Sequence, residues 1–144
     1  MGGLNPFARR FSEVLFARFP QWRAFATVDP PSADTPGALV VEVPAPRGDA
    51  RTLHISTCDD SITIGFDQWH CHAGGFAGTV EEDDFAEAIQ LLEGLVTETV
   101  IVAVTSRGGA MLSSQAVYEG TAPPRPPRGA RVTLMSWTGR LDTA

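Results

Sequence analysis

Thr52-Leu53-His54-Ile55-Ser56-Thr57-Cys58-Asp59-Asp60-Ser61-Ile62-Thr63-Ile64-Gly65-Phe66 is the stretch that decides the fold. Leu53 and Ile55 alternate with His54 and Ser56, the two-residue period of a strand with one face buried. Cys58-Asp59-Asp60 interrupts that rhythm with turn-forming residues, and Ile62, Ile64 and Phe66 restart it. Two alternating runs across a short polar turn predict a β-hairpin.

Downstream, the second strand is expected to run on through Trp69-His70-Cys71-His72 until Gly74-Gly75 and Gly78 break it. Without a bulge, Phe66, Gln68, His70 and His72 would then share one face. Thr79-Val80-Glu81-Glu82 reads as a capping box, with Thr79 as the cap and Glu82 reaching back. Behind it Phe85, Ile89, Leu92 and Val96 form an apolar stripe flanked by Ala88 and Leu95. The acids Glu81, Glu82, Asp83 and Asp84 suit the positive end of that helix. Thr99–Thr105 is a valine-rich strand, turned by Arg107-Gly108-Gly109 into Met111–Tyr118. Thr121–Gly129 carries four prolines and reads as a loop, and Arg131–Trp137 alternates as a last strand.

Upstream, Asn5-Pro6 starts a helix, because Asn caps free backbone donors and proline loses nothing at the first helical position. Phe7, Phe11, Val14, Leu15 and Arg18 keep helical spacing until Phe19-Pro20 ends the run. Asp29–Gly37 is proline-rich and expected to be a loop. Ala38–Val43 is expected to be a strand closed by Pro44 and Pro46. The order helix, strand, hairpin, helix, hairpin, strand predicts an α+β domain: an antiparallel sheet of about six strands with two helices packed on one face. With 144 residues, 43% of them hydrophobic, the chain suits a single domain, 1–144, with its own core.

Composition excludes some classes. No apolar run approaches the roughly 18 residues a membrane crossing needs. The first ten residues lack a hydrophobic stretch after a basic one, so no signal peptide is read and a cytoplasmic location is expected. The two cysteines, Cys58 and Cys71, are then expected to be free thiols. Net charge is −6, every basic residue is arginine, and the charge is unevenly placed. It is +1 over residues 1–51, −10 over 52–106 and +3 over 107–144. A central stretch of 55 residues without a cation argues against nucleic acid as a partner and for a basic protein.

His70 and His72, two apart on a strand, can both reach one metal ion, but a zinc site needs a third protein ligand. Asp59, Asp60, His54 and Asp67 are the candidates, and none stands at a diagnostic spacing. The expectation is therefore no metal and no cofactor, with a small metal-dependent hydrolase using His70 and His72 as the alternative. Ser113-Ser114 has no nucleophile elbow, and neither cysteine shows an orienting partner for a Cys–His pair. No catalytic residue is assigned. The candidate partner-binding residues are the acids Asp59, Asp60, Asp67, Glu81, Glu82, Asp83 and Asp84, together with Trp69, His70 and His72. Aromatic residues dominate interface energetics, so Trp69 and Trp137 are candidate anchors as well as candidate core.

The run Ile62-Thr63-Ile64-Gly65-Phe66-Asp67-Gln68-Trp69-His70-Cys71-His72, the acidic helix and the Thr99-Val100-Ile101-Val102 strand resemble small bacterial immunity proteins of polymorphic toxin systems. Ser136-Trp137-Thr138-Gly139-Arg140-Leu141-Asp142 adds to the likeness, which covers roughly Thr52 to Asp142. The resemblance implies a cytoplasmic inhibitor, not an enzyme, that binds and blocks a cognate protein toxin, often a nuclease or nucleic-acid-modifying enzyme. Such families carry no catalytic residues, so none is transferred.

Overall fold

A computed structural model describes residues 3–30, 36–48, 51–75 and 77–143. Helix α1 spans Pro6–Arg18. Asn5 Oδ1 accepts from the Ala8 amide at 2.8 Å, and Pro6 occupies the first position. Phe7, Ala8, Phe11, Leu15 and Phe16 are buried, whereas Val14, expected on the same stripe, is 40% exposed. The Phe19 amide donates to Leu15 and closes the helix before Pro20. A short 3-10 helix, Pro20–Phe25, then lays Trp22 flat against Phe19, with ring centroids 4.0 Å apart.

Five strands follow as an antiparallel meander in chain order: β1 Ala26–Asp29, β2 Ala38–Pro44, β3 Thr52–Cys58, β4 Ser61–Phe66 and β5 Trp69–Gly74. Helix α2 is Glu81–Thr97. It leads to a separate sheet of β6 Val100–Arg107, β7 Ala110–Tyr118 and β8 Arg131–Met135, in the order β7-β6-β8.

The antiparallel α+β architecture agrees with the sequence reading. Its count does not: among the described residues there are eight strands in two sheets rather than about six in one, and a 3-10 helix besides the two α-helices. β1 was missed because four residues are too few for a period to show. The expected loop at Asp29–Gly37 falls partly outside the described residues. The other extra strand comes from Asp67-Gln68. These two residues form a tight turn, so Phe66 pairs with Trp69 across it. Asp67 takes φ +54°, a left-handed conformation that short polar side chains tolerate better than most.

That turn also reverses the predicted face. Directly paired residues point the same way, so Trp69, Cys71 and Ala73 join Phe66 on the core side. His70 and His72 point outward.

One apolar core joins the layers. Leu39, Val41, Leu53, Ile55, Ile62, Ile64 and Phe66 line the inner face of the first sheet, and Val102, Val104 and Met135 come from the second. From α2, Phe85, Ala88, Leu92 and Leu95 pack into the same cluster, with Phe85 at 5.3 Å from both Phe7 and Phe11. Burying a side chain of this size contributes about 1.5–3 kcal/mol. Trp137 packs against the core with its ring 6.0 Å from Phe66. Among the described residues, no helix is long and apolar enough to cross a membrane.

Candidate binding surface

The acidic residues expected to act together divide into three places. The β3–β4 turn carries Asp59 and Asp60, both exposed. At the same end of the molecule α2 begins, with Glu82 and Asp83 exposed. Gly74 shows how close the two segments lie. A Cβ on Gly74 would stand 2.9 Å from Asp84 Oδ2 and 3.1 Å from the Asp60 carbonyl oxygen. Glycine admits this approach, and its φ of +78° needs glycine as well. Asp59, Asp60, Glu82 and Asp83 form no ion pair among the described residues.

Glu81 belongs to this end but is already matched. Arg10 of α1 donates to both its carboxylate oxygens, at 2.8 and 2.7 Å. The hydrogen bond from Arg10 holds the Glu81 carboxyl below its usual range. Asp67 lies elsewhere, at the opposite end of β4. Six residues of strand at about 3.4 Å each put it roughly 17–20 Å away.

Two expected contact residues are internal. Asp84 is 6% exposed, and its Oδ2 accepts from the Thr79 hydroxyl at 3.2 Å. This replaces the predicted capping box: Val80 is the N-cap residue, makes no side-chain cap, and its carbonyl receives the Asp84 amide at 3.0 Å. Trp69 is 6% exposed and belongs to the core cluster, so it has almost no surface to offer a partner. The sequence hid this because the turn at Asp67-Gln68 decides which way Trp69 points.

His70 and His72 occupy the outer face of the first sheet, with ring centroids 5.3 Å apart. His72 Nδ1 lies 2.9 Å from the Thr63 hydroxyl. His54 shares this face and lies 3.5 Å from Glu42 across the β2–β3 pair. Gly65 stands between His54 and His70 in register, leaving a shallow gap over β4. All three histidines of the chain therefore share one open face. The alternation in Thr52–Thr57 placed His54 opposite the core, but only strand register brings it near His70. Among the described residues, no three His, Cys, Asp or Glu side chains stand together so as to hold a metal ion.

A groove of about 680 Å³ runs beside α2, lined in part by Trp69, Cys71, Glu87, Leu91 and Tyr118. Burial, then the negative charge of Glu87, pushes the Cys71 thiol up to about 11. A nucleophilic cysteine needs the opposite shift, because the thiolate is the reactive form. The groove therefore carries no activated thiol at Cys71. No family model, curated protein or solved structure matches the chain.

Proposed function

We propose that the protein is a non-catalytic inhibitor that binds a basic protein partner through its acidic end. This is the role of an immunity protein toward a cognate bacterial toxin, with a nuclease or nucleic-acid-modifying enzyme as the fitting target. The observation that carries the reading is the convergence of Asp59-Asp60 and Glu82-Asp83 around Gly74, while Arg10 is committed to Glu81. Carboxylates that form no ion pair among the described residues, held on a β-turn and on a helix start, create a local field that speeds encounter with a basic surface and sets its orientation. Inhibition then follows from covering the partner's own site.

The experiment is a search for a toxin domain encoded beside the gene for this chain, followed by co-expression of the two, read as survival and as co-purification of the complex. An Asp60→Lys/Glu82→Lys/Asp83→Lys variant should lose protection while melting near the wild type. Asp59 is left intact because its φ of +51° restricts substitution. Full protection by the triple variant would place the interface elsewhere, and absence of protection by the wild type would remove the inhibitor reading.

A further inference from the structure

Ala122-Pro123-Pro124-Arg125-Pro126-Pro127-Arg128 lies between β7 and β8 and belongs to no helix or strand. Its conformation is nonetheless fixed by covalent structure. Every residue from Ala122 to Pro127 is a proline, precedes one, or both. A proline ring sets φ at about −65°, and the residue before a proline is pushed to extended angles. All four X-Pro bonds here are trans. Together these constraints give polyproline II, a left-handed helix of about three residues per turn with no internal hydrogen bonds.

Both ends of this segment are anchored. At the start the Thr121 hydroxyl and amide donate to the Tyr118 carbonyl, at 2.6 and 3.0 Å. At the finish the Ala130 amide donates to the Pro127 carbonyl at 3.0 Å, a turn that Gly129 permits with its φ of +79°. Arg107 Nη2 donates to the Arg128 carbonyl at 2.9 Å and ties that turn to the end of β6. Between the anchors, no backbone amide among the described residues donates to the carbonyls of Ala122–Pro126.

The three-residue period sorts the side chains into ridges: Pro123 with Pro126, Pro124 with Pro127, and Ala122 with Arg125 and Arg128. Pro124 alone of the seven is half-buried, and the others are exposed. The ridge of Pro124 is thus turned to the body of the protein, and the other two face outward. Although the chain carries 17 acids, neither Arg125 nor Arg128 forms an ion pair among the described residues. This combination fits one kind of partner. A groove lined by aromatic side chains accepts Pro123 and Pro126, about 9 Å apart, while its Trp and Tyr donors bond the open carbonyls. A carboxylate beside the groove pairs with Arg128. Little ordering is left to be done on binding, because the helix and its two anchors exist beforehand.

We propose that Ala122–Arg128 is a docking ligand for a protein domain with an aromatic-lined polyproline II groove and an acidic pocket beside it, the recognition surface of SH3 domains. The proposal rests neither on the acidic end nor on the partner that end binds. The probe is a purified SH3 domain with such an acidic pocket, titrated into the isotope-labelled full chain and followed by NMR. Amide signals of Arg125, Arg128 and Gly129 should shift and saturate, while those of β2–β4 stay in place. Pro126→Ala and Arg128→Glu should each weaken binding at least about tenfold. Pro124→Ala, on the ridge turned to the body, should stay within about threefold of the wild type. No shift at about 1 mM domain overturns the proposal, and so do equal losses for the two proline variants. Binding that survives Pro126→Ala but vanishes in salt also overturns it, since the arginines are then drawn to any acidic surface. Should a variant unfold, competition by the wild type decides. Displacement of the domain's own proline-rich peptide by the intact chain supports the proposal, and no displacement overturns it.

Discussion

Arg51 grips Asp142 with both arms of its guanidinium, Nη1 to Oδ1 at 3.1 Å and Nη2 to Oδ2 at 2.9 Å. Asp142 also receives the Ser136 amide at 2.7 Å and an ion pair from Arg47. The contact ties the start of β3 to the C-terminal turn, 91 residues apart. Burial pushes the Asp142 carboxyl up, but Arg51, the Ser136 amide and Arg47 outweigh it and hold the group below its ordinary range. Removing one partner of such a pair leaves the other poorly solvated. Asp142→Asn should therefore cost about 2–4 kcal/mol in urea unfolding.

The same pair sets a pH dependence. A carboxyl whose folded pKa is depressed adds stability that is complete above the unfolded value of about 3.9. That stability is lost as pH falls through the folded value. Thermal melts from pH 6 downward should therefore converge for wild type and Asp142→Asn in acid, and a gap that stays constant would show that the charge is not what stabilises the turn.

Gly74→Ala should destabilise by about 1–3 kcal/mol, because a Cβ there meets Asp84 and the Asp60 carbonyl while φ stays at +78°. A melt within a degree of the wild type would mean that the β3–β4 turn and α2 are not packed as described.

Trp69→Ala should remove about 3–5 kcal/mol, the cost of a large core truncation. His70→Ala and His72→Ala, on the open face, should stay within about 1 kcal/mol of the wild type. Chemical denaturation of the three variants decides the matter. Near-normal stability for Trp69→Ala, with a binding defect, would return that residue to the interface.

Binding to a basic partner should weaken with salt, and the slope should flatten in the Asp60→Lys/Glu82→Lys/Asp83→Lys variant. Association rates measured across a salt series at constant pH read this directly. Parallel slopes for variant and wild type would exclude the acidic end as the steering surface.

Cys58 is exposed, while Cys71 is partly buried with its thiol pushed up to about 11. At neutral pH iodoacetamide should label Cys58 first and Cys71 at least about tenfold more slowly, because the thiolate is the reacting form. Peptide mass spectrometry separates the two. Faster labelling at Cys71 would mean that the groove activates its thiol.

What the sequence determined by itself is local. The period of Leu53 and Ile55 against His54 and Ser56 depends on neighbours one and two positions away, and so does the Asn5-Pro6 helix start. Both are present in the structure where they were read. Of the stripe Phe85, Ile89, Leu92 and Val96, Phe85 and Leu92 are buried with the flanking Ala88 and Leu95 for the same reason, and Ile89 and Val96 are partly buried. What only tertiary structure decided are the relations that strand register and packing create between distant segments. Whether Asp67-Gln68 continues a strand or turns it reverses the direction of Trp69 and both following histidines. The local pattern does not distinguish these, because polar residues suit an exposed strand position as well as a turn. The acidic stretch likewise carries no record of which carboxylates converge. Asp84 enters the core side, Glu81 meets Arg10 from 71 residues away, and Asp67 lies a full strand length from Asp60. Packing against Gly74 leaves Asp59, Asp60, Glu82 and Asp83 at one end. Electrostatic fields depend on distance in space, and only the folded chain sets that distance.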